Sequence, residues 1–151
     1  MYYNTNIEMK VKDNEYEIKF MAAMAFLKDQ GVDVIEVHYS GGGDDGCVEE
    51  VNFFGPQKNK WKNGTLIESD NIDRDAEIIK PYEPKDEEQF QQIFKFLEDF
   101  SYSQVLNSIE DWWNNDGGYG YMYIDTSTGK YYVENNIYFT ETETYNHTGQ
   151  L

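Results

Sequence analysis

Residues 111–121 read Asp111-Trp112-Trp113-Asn114-Asn115-Asp116-Gly117-Gly118-Tyr119-Gly120-Tyr121. This stretch marks the change from a predicted helix to a predicted strand. Two tryptophans close a helical pattern, a run of Asn, Asp and Gly breaks it, and alternating tyrosines open a strand. A second Gly/Asp-rich segment stands at the end of an earlier predicted strand and reads Ser40-Gly41-Gly42-Gly43-Asp44-Asp45-Gly46. Because Gly and Asp are typical of tight turns, both segments predict sharp connections between elements.

Apolar spacing predicts a first helix from about Asn14 to Gln30, where apolar residues recur every three or four positions. Gly31 is a typical residue just after a helix end. Alternating apolar and polar residues then predict strands, and an Asn-Gly pair predicts a hairpin. The strands predicted in this half are residues 33–39 and an antiparallel partner at 47–54, followed by either a short strand pair or a tight turn within 61–66 around Asn63-Gly64.

A second helix is predicted to begin at Asp86, after a connection over the surface at residues 68–85. Asp86 and Gln89 have the spacing of a capping box. The helical spacing continues to Trp113, with a kink near Ser101–Ser103. The strands predicted after this helix are 119–124, 131–135 and 137–145, with Gly129 in the turn between the first two.

These patterns predict an α+β fold for a single domain at residues 1–151. An antiparallel sheet with two main helices packed on one face is the economical arrangement for the order helix, strands, helix, strands. A chain of 151 residues has about the length of one domain.

The charge of the chain limits its partners. The formal net charge is −17, and Lys130 is the only Lys or Arg from residue 100 onward. Nucleic-acid phosphates and anionic lipids repel such a chain, so direct binding to nucleic acid or membrane is not expected, and a basic protein is the natural complement. The alternative is that the charge serves only solubility. With no signal-like or membrane-spanning stretch, we expect a cytoplasmic protein of a bacterial host cell.

The residue types suggest several kinds of catalytic or metal site, each with weak support. The Gly41–Gly46 loop lacks the Gly-Lys-Ser/Thr ending of a phosphate loop, and its aspartates would repel phosphate. Asp44, Asp45 and Asp116 could hold Ca²⁺ or Mg²⁺, although they lack EF-hand spacing. A Cys47–His38 dyad is conceivable, but no motif supports it and a buried Cys is the commoner arrangement. We therefore predict no enzyme activity, no metal and no cofactor.

The chain resembles a family of small, acidic, uncharacterised proteins carried by bacterial plasmids, phages and other mobile elements. The resemblance spans roughly residues 33–147 and implies no activity, substrate or catalytic residue. It rests on three motifs in order, which are Ser40–Gly46 with Glu49-Glu50, Trp113–Gly120, and Tyr138–Glu143 followed by Tyr145 and His147.

Charge and resemblance together favour a non-enzymatic nucleic-acid mimic that occupies the basic groove of a host defence enzyme, as an anti-CRISPR or anti-restriction inhibitor would. The alternatives are a Ca²⁺- or Mg²⁺-dependent module or enzyme on the Gly/Asp loops, and an immunity protein against a basic toxin nuclease. The predicted contact residues are Asp44, Asp45, Glu49, Asp111, Asp116, Glu141 and Glu143, with Trp112 and Tyr119 as apolar anchors.

Overall fold

The fold is taken from a computed structural model, which describes residues 14–43, 45–58, 60–62, 65–66, 72–109, 112, 117–138 and 142–151. Two α-helices and eight strands lie in this part of the chain. The helices are α1 (Asn14–Asp29) and α2 (Glu87–Phe100), and the strands are β1 (Val34–Gly42), β2 (Asp45–Phe54), β3 (Trp61–Lys62), β4 (Thr65–Leu66), β5 (Glu77–Ile78), β6 (Gly118–Asp125), β7 (Lys130–Tyr138) and β8 (Thr142–Gln150).

Six strands form one antiparallel sheet in the order β5-β2-β1-β6-β7-β8, and β3 pairs with β4 separately. Both helices pack on one face, where their apolar residues join alternate residues of the central strands in the main core. Aromatic rings connect the helices, since Phe20 of α1 stacks on Phe100 of α2 with 4.9 Å between centroids. The predicted α+β fold, with two helices on one face of an antiparallel sheet, is confirmed.

Helix α1 ends as the sequence predicts. Gly31 adopts φ 86°, a left-handed conformation that glycine reaches without strain. Its N–H donates to the Lys28 carbonyl at 3.0 Å, and the N–H of Val32 donates to the Leu27 carbonyl at 2.9 Å. These two bonds form a Schellman motif, which reverses the chain directly into β1.

Two features of α2 differ from the prediction. No side-chain bond caps the helix at Asp86; its Oδ2 instead accepts a bond of 3.2 Å from Gln30 Nε2 and so connects the end of α1 to the start of α2. The α-helix also stops at Phe100, earlier than predicted. A π-helical turn at Ser101–Val105 and a 3₁₀ turn at Leu106–Ser108 follow, so the helix changes type in the region where a kink was predicted.

The last two strands and the 68–85 connection also differ from the prediction. Strand β7 continues to Tyr138 and β8 begins at Thr142, so the boundary predicted near residue 136 is wrong. Residues 134–136 lie in a continuous ladder with β6 and β8. Within the predicted connection, β5 pairs with β2 and Arg74 reaches the sheet.

Candidate interaction surface on the helix-free sheet face

Alternation along each strand places a second set of side chains on the sheet face opposite α1 and α2. We call it the helix-free face, because neither of these two described helices packs on it. Residues directly opposite one another build rows across it. One row runs from Glu50 through His38 and Tyr121 to Glu134, and the next row runs from Asn52 through Glu36 and Tyr123 to Tyr132.

A small apolar cluster, separate from the main core, fills one end of this face, which we call the covered end. Ile72, from the segment that precedes β5, lies over it and is 8% exposed. The other buried members of the cluster are Val34, Phe54, Tyr123 and Tyr132.

Glu36 is buried at the covered end, with 1% of its surface exposed. Arg74 Nη1 and Nη2 donate to Glu36 Oε1 and Oε2 at 3.1 and 2.8 Å. The Tyr123 hydroxyl donates to Oε2 at 2.8 Å, and Asn52 Nδ2 donates to Oε1 at 3.0 Å. Burial alone would raise the pKa of Glu36, but these hydrogen bonds and the Arg74 charge outweigh it and hold the pKa below its ordinary value.

A second ion pair fixes the same end of the sheet. Lys60 Nζ donates to Asp125 Oδ1 at 2.9 Å and also to Asp33, so it connects the residue before β1 to the last residue of β6. Burial lowers the pKa of Lys60, whereas its bonds to Asp33 and Asp125 raise it, and the net shift is upward. The buried carboxylates of the covered end are therefore matched by cations.

The opposite end of the helix-free face carries partly exposed aromatic rings. His38 stacks on Tyr121 with 4.7 Å between centroids and 15° between planes, and Tyr121 continues the column onto Tyr123 at 6.3 Å and 17°. Tyr119 lies beside Tyr138, with 5.5 Å between centroids. Rings that stack across strands give this end a regular aromatic surface.

Exposed carboxylates of β2 flank these rings. Ser40 Oγ donates to Glu49 Oε1 at 2.6 Å, and Cys47 Sγ lies 3.4 Å from the same oxygen. These two bonds and the nearby His38 lower the pKa of Glu49, so the group stays ionised well below neutral pH. Strands β1, β2 and β6 contain no Lys or Arg. We call this region the open end, defined as His38, Ser40, Asp45, Glu49, Glu50, Tyr119 and Tyr121.

A β-bulge shapes the open end. The register of β1 against β2 shifts between His38 and Tyr39, so that His38 lies opposite Glu50 while Tyr39 lies opposite Val48. Glu49 is the extra residue in β2, and its side chain still reaches Ser40. The bulge therefore adds a second carboxylate beside Glu50 on the same surface.

The two Gly/Asp-rich segments meet in space beside the open end. Gly41 of β1 lies opposite Gly118 of β6. A Cβ atom on Gly117, which has φ 80°, would lie 2.0 Å from the Gly41 carbonyl oxygen, so the close approach requires glycine. The sequence did not predict this contact, because it is set by the pairing of β1 with β6.

Besides Trp112, the structure describes four of the nine predicted contact residues. Asp45 and Glu49 are exposed and Tyr119 is partly exposed, and all three belong to the open end. The backbone of Glu143 lies in β8 opposite Ile137. The remaining predicted carboxylates lie outside the described residues, and they are Asp44, Asp111, Asp116 and Glu141.

Trp112 is a core residue rather than the surface anchor that the sequence suggested. It is 0% exposed, and its Nε1 donates to the Leu106 carbonyl at 2.8 Å. Its ring packs against Tyr39 and Tyr102, with centroids 4.7 and 6.0 Å away. Its spacing after α2 gave no sign of this, since a buried Trp and a Trp at a binding surface have the same pattern in sequence.

The surroundings of Cys47 bear on the Cys–His dyad and the metal site that the sequence suggested. Cys47 is exposed, so the expectation of a buried cysteine is wrong. Partial burial and the neighbouring Glu49 raise the pKa of its thiol, which disfavours the nucleophilic thiolate. Among the described residues there is no group of three or more His, Cys, Asp or Glu placed to hold a metal ion.

Sequence reasoning missed His38, Ser40, Glu50 and Tyr121 as members of the surface. The sequence did contain a pattern that indicates them. Polar residues of β1 and tyrosines of β6 alternate with apolar residues, so within each strand they lie on one face. What the sequence lacked was the pairing of β1 with β6, which brings the two sets together.

The chain belongs to the family of unknown function DUF6878, whose family model matches residues 17–149. The match thus extends to α1, well before the start of the resemblance recognised in the sequence. No match to the chain was found among curated proteins or among solved structures. In the part of the chain that the structure describes, no helix is long and apolar enough to cross a membrane.

Proposed function

We propose that this protein is a non-enzymatic binding protein whose open end occupies the basic, nucleic-acid-binding surface of a partner protein. The observation that carries the proposal is the open end itself, where exposed Asp45, Glu49 and Glu50 flank partly exposed rings on strands without Lys or Arg. Carboxylates at fixed positions on a sheet can take the place of phosphates in a basic groove. Aromatic rings among them supply the contact area typical of strong binding sites.

The partner is proposed to be a nucleic-acid-processing defence enzyme in the bacterial cytoplasm. The resemblance to proteins of plasmids and phages favours this class, since mobile elements benefit from inhibiting host restriction or CRISPR enzymes. A toxin nuclease bound by an immunity protein would present the same basic groove, so the identity of the captured partner distinguishes the two functions.

The test compares capture of partners from a bacterial lysate by three forms of the tagged protein. One is the wild type, one is the open-end variant D45N/E49Q/E50Q, and one is the control variant E87Q/E88Q/E98Q. The control changes exposed carboxylates of α2 and reduces the net negative charge by the same amount. We expect the wild type and the control to retain a nucleic-acid enzyme at low salt and to lose it at high salt, because screening weakens exposed charge pairs.

The open-end variant should lose the partner at both salt concentrations. With purified partner, the wild type should also compete with the partner's nucleic acid for binding. Equal capture by the wild type and the open-end variant, or affinity that does not change with salt, would exclude the proposal.

A further inference from the structure

We propose that the partner residue bound at the open end is an arginine, held there as Arg74 is held at the covered end. This inference rests on the proposed function and adds to it the chemistry of the partner's contact. The two ends of the same sheet face repeat similar side chains, but only the covered end contains an arginine.

The covered end shows how this sheet holds a guanidinium group. Arg74 places its two terminal nitrogens on the two oxygens of Glu36, and its guanidinium carbon lies 5.6 Å from the centre of the Phe54 ring. The Tyr123 hydroxyl donates to the same carboxylate. A carboxylate, a tyrosine and an aromatic ring together therefore bind one planar cation.

The next row along the strands repeats a carboxylate and aromatic rings, but the residues that form this row include no Lys or Arg. Asn52 Nδ2 donates both to Glu36 Oε1 at 3.0 Å and to Glu50 Oε2 at 3.2 Å, so the two carboxylates are neighbours across one amide. Glu50 lies opposite His38, which stacks on Tyr121. No Lys or Arg of the described residues forms an ion pair with Glu50 or Glu49. A partner can supply a guanidinium group to this row.

The geometry of the surface favours arginine over lysine. A guanidinium group is planar, so it can donate two parallel hydrogen bonds to one carboxylate while it stacks on a ring. The rings of His38, Tyr121 and Tyr123 already form a column of nearly parallel planes, which a planar cation can extend. A lysine ammonium is a strongly hydrated point charge and gains little from either feature.

The experiment measures the affinity of the full-length protein for two synthetic peptides at low salt. The peptides are identical except that every arginine of one is lysine in the other, so their net charges match. We expect the arginine peptide to bind the wild type about tenfold more tightly, which corresponds to about 1.4 kcal/mol. The preference should fall in E49Q/E50Q and in Tyr121→Leu, and it should persist in the control E87Q/E88Q, with folding of each variant checked by its melting curve.

The outcomes separate this inference from the proposed function. If both peptides bind the wild type equally and the open-end variant loses both, the arginine preference is wrong while the basic-partner function stands. The arginine preference is likewise wrong, and the function again stands, if neither peptide binds but the wild type captures a partner that the open-end variant does not. If neither peptide binds and the open-end variant captures partners as the wild type does, both proposals are wrong.

Discussion

A glutamate carboxylate has opposite surroundings at the two ends of the helix-free face. At the covered end, Glu36 is buried and receives bonds from Arg74, Tyr123 and Asn52. At the open end, Glu49 is exposed and receives bonds from Ser40 and Cys47, neither of which carries positive charge. Both carboxylates have lowered pKa values, but of the two only Glu36 forms an ion pair with a Lys or Arg of the described residues.

The difference follows from the cost of removing charge from water. A buried carboxylate is tolerated only when a cation and hydrogen bonds replace its hydration, so Glu36 requires its network. An exposed carboxylate keeps its hydration and needs no internal partner. Carboxylates of the covered end therefore support the fold, whereas those of the open end remain available to a protein that brings its own cations.

Removing the cation at the covered end should have the largest effect on stability. Arg74→Ala leaves Glu36 buried without its base. Breaking a fully buried pair costs about 3–5 kcal/mol, and we expect about 2 kcal/mol here because the Arg74 side chain is 51% exposed. The measurement is urea unfolding, with Lys95→Ala on the exposed side of α2 as a control of equal charge change. Equal loss of stability in the two variants would show that Glu36 does not depend on Arg74.

Lowering the pH should reduce the difference in stability between the wild type and Arg74→Ala. Because the folded pKa of Glu36 lies below its unfolded value, its ionised form contributes stability above about pH 4.5, and this contribution is lost as the pH falls through the folded pKa. The gap between the wild type and Arg74→Ala should therefore be full at pH 7 and become smaller below about pH 4.5. Urea midpoints of both proteins, measured over this pH range, give the stability gap. A gap that stays constant with pH would contradict the role given to Glu36.

Local patterns predicted most of the fold because each element carries its own signal. Helical spacing and Gly31 predicted α1 at both ends, and alternation predicted β1 and β6. The errors fall where tertiary contacts decide the outcome. Asp86 bonds to Gln30 instead of capping α2, and the polar residues near Asn136 continue a strand because β6 and β8 pair on both sides of it.

The candidate site was less predictable than the fold. Strand pairing across most of the chain decides which residues share the surface, and no local pattern reports that His38 will stack on Tyr121. Composition identified the negative charge but not which carboxylates are matched by a cation. Arg74 is the only arginine of the chain, and the sequence gave no reason to connect it with Glu36.

The smallest expected effect concerns the thiol at the open end. Partial burial and the neighbouring carboxylate of Glu49 raise the pKa of Cys47, so its thiolate is scarce near neutral pH. Glu49→Gln should speed alkylation of Cys47 by iodoacetamide by roughly two- to threefold, since each unit of pKa changes the thiolate fraction about tenfold and exposed charges are partly screened. Mass spectrometry measures the rate, and Glu88→Gln serves as the control.

The urea midpoint of Glu49→Gln should stay unchanged, in contrast to that of Arg74→Ala. An unchanged alkylation rate in Glu49→Gln would mean that a cation already neutralises Glu49, and the distinction between the two ends would then fail.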